Sequence, residues 1–181
     1  MKKINKYKIC VSIIFGISGL IANYFSFEII KLSKINLNVN FLWGLIFPLL
    51  ITLAWGWRYG LISALSGGCF TLWWLRNFNG YGFIFSGIIF TLWIIWHGFW
   101  NIKYLKQKKW FLNKYILEII FRLLIIPGYF FIYKYLILIN PPSWFLQINS
   151  NYINNNWLNM IMTKHLILGF ILLLISDILS S

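Results

Sequence analysis

The stretch MTKHLILGFILLLISDILSS, from Met162 to Ser181, is apolar apart from a lysine–histidine pair near one end and an aspartate near the other. A helix needs about 20 mainly apolar residues to cross the hydrocarbon core of a bilayer. The rest of the chain is similar, because 60% of its residues are hydrophobic and 21% aromatic. Only 10% are charged, against about 25% in soluble domains. The sequence therefore predicts a polytopic membrane protein.

Six segments have the length and apolar character of spanning helices, roughly 9–26, 39–56, 60–75, 81–101, 115–138 and 159–179. We expect one all-α transmembrane domain covering residues 1–181, with no soluble domain. Pro48 and Pro127 fall inside the second and fifth segments, where proline removes a backbone hydrogen bond and is expected to kink the helix. Small residues from Ser63 to Gly68 would let another helix approach the third segment closely.

Basic residues are distributed unevenly between the connections. With the N-terminus inside, the cytoplasmic side receives Lys2, Lys3, Lys6, Lys8, Arg58, Lys103, Lys106, Lys108, Lys109 and Lys114. The opposite side receives Lys31, Lys34, Arg76 and Lys134. The positive-inside rule then predicts a multi-pass membrane protein with both termini in the cytoplasm. This orientation accounts for the net charge of +13, so we do not expect a nucleic-acid partner.

Charged residues inside apolar segments need a partner or a polar cavity. Glu118 and Arg122 are four residues apart in the fifth segment, so they share a helix face and can pair. The sixth segment runs in the opposite direction, which brings Asp177 to a similar depth. We therefore expect Arg122 to bridge to Glu118 or to Asp177 and to hold the last two helices together.

Lys164 lies several residues into the outer half of the sixth segment, where no acidic residue is expected at comparable depth. Two interpretations are open: the side chain reaches the outer interface, or it faces the bundle and contacts a ligand. Asn38 and Asn40, at the outer mouth of the second segment, are further candidate ligand contacts. His165 points about 100° away from Lys164 and is assigned to another face, and His97 is expected at the membrane interface.

Patterns for catalysis and metal binding are not found in the sequence. It has no paired carboxylates for acid–base work, no metal-type spacing of Cys and His, no phosphate loop and no nucleophile elbow. We therefore expect no enzyme activity, no cofactor and no metal in this chain.

The run LNVNFLWGLIFPLLITLAWGWRYGLISALSGG, from Leu37 to Gly68, resembles the opening of the polytopic sensory region of many bacterial sensor histidine kinases and diguanylate cyclases. IIFTLWIIWHGFW, LNKYILEIIFRLLIIPGYFFIY and TKHLILGFILLLISD follow in the order and spacing of that family's later helices. In the last of these, Lys164, Gly169 and Asp177 fall on recurrent lysine, glycine and acidic positions. The resemblance covers most of residues 37–178.

The resemblance implies a membrane-embedded, signal-sensing input module in the bacterial inner membrane. Any kinase or cyclase activity would reside in an output domain that this chain lacks, and a linker to that domain would begin near Ser181. The implied partners are the lipid bilayer, a small-molecule ligand, and a cytoplasmic signalling domain or partner protein, with a homodimer left open. Ligand occupancy of the outer half of the bundle would shift the sixth helix.

Two alternatives stay open. The six-helix arrangement is also similar to the substrate-binding subunits of energy-coupling factor vitamin transporters, which would dock on a membrane scaffold through small-residue helix faces such as Ser66-Gly67-Gly68. A small stand-alone membrane adaptor is the other alternative.

Overall fold

The computed structural model describes residues 5–25, 27–32, 37–70, 82–138 and 155–180. Its helices are α1 (Lys6–Tyr24), α2 (Ile46–Trp55), α3 (Trp57–Ser63), α4 (Gly82–Gln107), α5 (Lys114–Gly128), α6 (Lys134–Leu138) and α7 (Asn155–Ser180). Single 3-10 turns cover Trp43–Leu45 and Trp110–Leu112, and π turns cover Ala64–Gly68 and Tyr129–Tyr133. The strands are β1 (Phe27–Leu32) and β2 (Leu37–Phe41).

Four helical segments in the described part of the chain are long and apolar enough to cross a membrane: Lys6–Tyr24, Ile84–Gln107, Lys114–Leu136 and Leu158–Leu179. They correspond to the first, fourth, fifth and sixth predicted segments. Large apolar side chains such as Ile14, Leu124 and Ile167 are exposed on their outer faces, as lipid-facing residues would be. The predicted helical bundle is confirmed, and its apolar helices are compatible with a membrane protein.

The second and third predicted segments form a short helical hairpin. The apolar helix Trp43–Trp55 is about 20 Å long at 1.5 Å per residue, against about 30 Å for a hydrocarbon core. Gly56 joins α2 to α3 with a φ of 92°, a backbone conformation that favours glycine. Because neither short helix reaches the length of a span within the described residues, the count of six spans stays a prediction.

The helical hairpin runs beside α1 from one end to the other. The backbone N–H of Asn5, before α1, donates to the Tyr59 hydroxyl at 3.0 Å, and the N–H of Gly44 donates to Oδ1 of Asn23 at 2.9 Å. Lys8, Arg58 and Lys106 gather at the Asn5 end. We call this the basic end of the bundle.

The strands β1 and β2 pair antiparallel, with an irregularity between Glu28 and Ile30. They are the exception to the all-α prediction in the described residues, and the second predicted helix begins later than expected. The sequence from Asn38 to Asn40 alternates polar and apolar residues with the period of a strand, and asparagine disfavours helix interiors. These local preferences explain the extended backbone there.

The two prolines singled out in the sequence differ in position, since Pro127 lies inside its helical segment as predicted. Pro48 is in the first turn of α2, where a missing N–H is tolerated, so the prediction of an interior position was wrong. Pro127 is followed by Gly128 and then by the π turn that continues α5. The change in hydrogen-bond pattern therefore comes directly after the proline, next to the site described below.

Candidate ligand-binding site

A buried carboxylate joins α4 to α5. Glu118 has no exposed surface, and the Nε of Arg122 donates to its Oε1 at 2.6 Å. The Nε1 of Trp93 donates to Oε2 at 2.5 Å, and the Nε2 of His97 lies 2.8 Å from the same oxygen. We call these four side chains the Glu118 cluster.

Helical spacing assembles this cluster from two facing helices. Trp93 and His97 are four residues apart on α4, and Glu118 and Arg122 are four apart on α5, so each pair shares one face. His97 is 1% exposed. Its predicted interfacial position was therefore wrong, because a carboxylate on the facing helix supplies a partner inside the bundle.

The α7 backbone covers the cluster at Gly169. A Cβ atom at this position would lie 2.6 Å from Nη2 of Arg122 and 2.8 Å from Cδ of Glu118, which is closer than real Cβ contacts allow. Because Gly169 has no side chain, the α7 backbone can pack directly against the Glu118–Arg122 ion pair. This close contact explains why a glycine is needed at position 169.

The neighbouring side chains make Glu118 a hydrogen-bond acceptor. The indole of Trp93 and the guanidinium of Arg122 can only donate, so Glu118 accepts from both. The Nε2 of His97 lies within hydrogen-bond distance of the same carboxylate, and the charges of Glu118 and Arg122 balance each other. The guanidinium also lies over the ring of Trp93, 5.5 Å from its centroid.

A cavity of about 460 Å³ lies between α5 and α7 beside this cluster. Its lining is mainly aliphatic and aromatic, which suits an apolar ligand. The polar side chains in the lining are those of Arg122, Tyr129, Thr163 and His165. We call it the α5–α7 cavity.

Three lining residues each have a buried polar atom with no hydrogen-bond partner in the described part of the chain. These atoms are Nη1 of Arg122, the hydroxyl oxygen of Tyr129 and Nδ1 of His165. About nine in ten buried polar atoms in proteins have a partner. The rings of Tyr129 and His165 are neighbours, with centroids 5.5 Å apart. The side chains that surround one apolar space thus retain hydrogen-bonding capacity.

The π turn contributes Tyr129 to the wall of this cavity. Pro127 has no N–H, so the carbonyl of Leu123, which also lines the cavity, cannot receive the usual helical hydrogen bond. The π turn that follows begins at Tyr129. Such π turns are frequent at functional sites, where they reorient a side chain without ending the helix.

The predicted ion pair is found, but Arg122 does not join the last two helices as predicted, because both of its members are on α5. Arg122 pairs with Glu118, as the first of the two predicted alternatives stated. Asp177 forms an ion pair with Lys114 and accepts a hydrogen bond from the Tyr115 hydroxyl at 3.2 Å. Asp177 is therefore close to the start of α5, nearer the basic end than Glu118, and its pair with Lys114 joins α5 to α7.

The predicted ligand contacts have different placements. Lys164 is half-buried on α7 and is not among the residues that line the α5–α7 cavity, whereas its neighbour His165 is. Asn38 and Asn40 lie on β2 opposite Lys31 and Glu28, and their side chains are outside the described part of the structure. A ligand contact by any of the three stays a prediction.

Comparison with known proteins gave no match, whether by protein-family model, by curated protein or by solved structure.

Proposed function

We propose that this chain is a membrane-embedded binding protein for a small, largely apolar molecule with a neutral hydrogen-bond-accepting group, such as a carbonyl or hydroxyl. We further propose that it serves as the signal-sensing input module of a bacterial signal-transduction protein, as its sequence resemblance implies. The single observation that carries the proposal is the α5–α7 cavity. Its mainly apolar lining includes Arg122, Tyr129 and His165, each of which has a buried polar atom without a partner among the described residues.

The charge balance of the site favours a neutral polar group over an anion. Glu118 already neutralises Arg122, and a second carboxylate beside them would be a buried charge without a counterion. A carbonyl oxygen can accept from the free Nη1 of Arg122 and from the hydroxyl of Tyr129 without adding charge. An aliphatic or aromatic body would then fill the apolar remainder of the cavity.

The position of the cavity also supports a role in signalling. His165, Leu166 and Phe170 of α7 form one wall, so an occupant would press on or pull on the last helix. Asp177, farther along the same helix, is attached to α5 by Lys114 and Tyr115. A shift of α7 that alters this attachment could be passed to a following output domain on the cytoplasmic side.

The transport alternative has less support. The small-residue patch that would dock on a scaffold is occupied within the chain, because Gly67 and Gly68 pack against α1 and Pro48. The membrane orientation in this proposal follows the positive-inside rule, which puts the basic end and both termini in the cytoplasm of a multi-pass inner-membrane protein.

Binding is tested with the Tyr129→Phe variant in lipid nanodiscs. The probes are 2-dodecanone, dodecane and dodecanoate, which share an alkyl chain and differ in the polar group. We expect the ketone to raise the thermal midpoint of the wild type more than either other probe. Loss of one hydrogen bond of about 1 kcal/mol should weaken ketone affinity about fivefold in Tyr129→Phe. The matched control is Tyr135→Phe, which removes a hydroxyl from an exposed tyrosine of α6.

Equal ketone affinity in Tyr129→Phe and wild type would contradict the site assignment, and an equal shift with dodecane would contradict the polar recognition. The same titration on Lys164→Met tests the open prediction for that residue. If Lys164 contacts the ligand, this variant should bind the ketone more weakly than the wild type.

The signalling role is tested by fusing the chain through α7 to a histidine kinase output domain, with a series of linkers whose lengths cover one heptad. We expect the ketone to change kinase autophosphorylation in at least one fusion. Binding without any change in all of them would reject the sensory role and leave the binding role standing.

A further inference from the structure

A second cavity, of about 730 Å³, lies at the basic end of the bundle. The start of α1, the residues around the turn between α2 and α3, and the end of α4 line it. Each of these elements contributes a cation to the lining, namely Lys8, Arg58 and Lys106. We call it the basic cavity, and the proposed function does not use it.

Aromatic rings hold two of these cations. The Nζ of Lys8 lies 5.0 Å from the ring centroid of Trp55 and 5.7 Å from that of Tyr59. The guanidinium of Arg58 lies 5.5 Å from the ring centroid of Trp57. The three rings also line the cavity. Cation–π contacts position a positive charge without neutralising it, so both cations keep their capacity to bind an anion.

No carboxylate lines the basic cavity among the described residues. The two carboxylates whose side chains the structure describes are Glu118 and Asp177, which form ion pairs with Arg122 and Lys114. Three cations from separate elements therefore share one concave space, and their mutual repulsion would be relieved by a bound anion.

We propose that the basic cavity binds a phosphate group, and that the headgroup of an anionic phospholipid supplies it. Arginine and lysine together are the usual recognition set for phosphate, the first by paired donors and the second as a point charge. Tryptophan and tyrosine rings beside them suit the glycerol region of a lipid at the membrane interface. The basic end is also where the positive-inside rule puts the cytoplasmic leaflet, which carries anionic lipids.

The test is lipid retention by the full chain, measured by native mass spectrometry after transfer from nanodiscs of phosphatidylcholine and phosphatidylglycerol into detergent. The cavity variant combines Lys8→Gln, Arg58→Gln and Lys106→Gln. The matched control combines Lys6→Gln, Lys103→Gln and Lys109→Gln, which removes three charges near the same end from residues that do not line the cavity. We expect phosphatidylglycerol occupancy to fall about fivefold or more in the cavity variant, because one interfacial cation contributes about 1 kcal/mol to the binding of an anionic lipid. In the control variant the occupancy should stay close to that of the wild type.

Equal loss in both triple variants would mean general attraction to a basic surface and would overturn the proposal. The wild type is also heated in lipid-free detergent with inorganic phosphate. A phosphate-dependent rise in thermal midpoint that the cavity variant lacks, without selective lipid retention, would retain the phosphate site and overturn the lipid as its source. If neither effect is observed, the phosphate site is rejected. If the triple variant does not fold, Arg58→Gln alone is compared with Lys109→Gln, because both residues are exposed.

Discussion

The two halves of this bundle are held together by different chemistry. Where α1 meets α2 and α3, glycine removes side chains from the interface, and Gly16 and Gly19 lie against the backbone of Ser63, Gly44 and Gly68. Where α4, α5 and α7 meet, a buried carboxylate with three polar partners joins α4 to α5, and Gly169 makes room for it. In the first half the backbones lie in direct contact and the Asn23 side chain adds hydrogen bonds to backbone groups, whereas in the second half side chains bond to side chains.

This difference explains where a ligand site can form. Backbones in direct contact leave no space for a ligand, and close packing has one well-defined geometry. A charged cluster needs several long side chains around it, and the α5–α7 cavity lies directly beside these. We therefore assign the apolar ligand site to the second half, whereas the first half acts as scaffold along the α1 interface and contributes only its basic end to the proposed phosphate site. Each assignment can be tested by a substitution.

The largest effect is expected for Arg122→Leu. It removes the guanidinium from a fully buried Glu118 and leaves a carboxylate supported by Trp93 and His97 alone. Breaking a buried ion pair in this way costs about 3–5 kcal/mol. The measurement is the free energy of unfolding in mixed micelles by titration with sodium dodecyl sulfate.

The matched control for that variant is Leu123→Met, an exposed neighbour on the same helix, which should change stability little. A double variant, Glu118→Leu with Arg122→Leu, should recover part of the loss because it leaves no buried charge. If Arg122→Leu lowers the free energy of unfolding by less than Leu123→Met does, the Glu118 cluster does not hold the second half together.

A smaller effect is expected in the first half for Gly16→Ala. The added Cβ would lie 2.7 Å from Cβ of Ser66 and 3.1 Å from the backbone carbon of Ser63, so α1 and α3 would have to separate. Overpacking of this kind costs about 1–3 kcal/mol. The same unfolding titration measures it, with Cys10→Ala on the exposed part of α1 as the control.

Stability equal to wild type in Gly16→Ala would show that the α1 interface is loose. Ketone binding provides the sharper contrast between the halves, since Gly16→Ala should lower stability and leave the α5–α7 cavity intact. Weaker binding in a folded Gly16→Ala protein would contradict the division between scaffold and site.

The sequence predicts one part of this division better than the other. Apolar length alone identified the four long helices, and the spacing of Glu118 and Arg122 was sufficient to predict their pairing. His97 was misassigned because its partner lies 21 residues away on another helix, which a single-helix pattern does not reveal. The signal available was the four-residue spacing of Trp93 and His97, which puts two donors on one face of α4.

The cavity was harder to predict, because it depends on how helices pack. From the sequence, Lys164 was predicted as a ligand contact because of its charge, and His165 was assigned to another face of the helix. In the structure His165 lines the cavity, and Tyr129 joins it because a π turn begins at that residue. Tyrosine in an apolar segment resembles an interfacial anchor in sequence. Only the packed position of its hydroxyl distinguishes a candidate binding group from an anchor.

The smallest effect on stability is expected for Lys114→Met, at the basic end of the second half. Its ion pair with Asp177 is partly exposed, with 22% of the lysine and 39% of the aspartate side chain accessible, so solvent screens it. Such pairs contribute about 0–1 kcal/mol, and the Tyr115 hydroxyl would still donate to Asp177. If the attachment nevertheless sets the resting position of α7, Lys114→Met should change basal autophosphorylation of the kinase fusion at nearly unchanged unfolding free energy. A control, Lys103→Met, removes from the same end a cation that lies over the rings of Phe99 and Trp100 on its own helix. An equal change in both variants would assign the effect to surface charge.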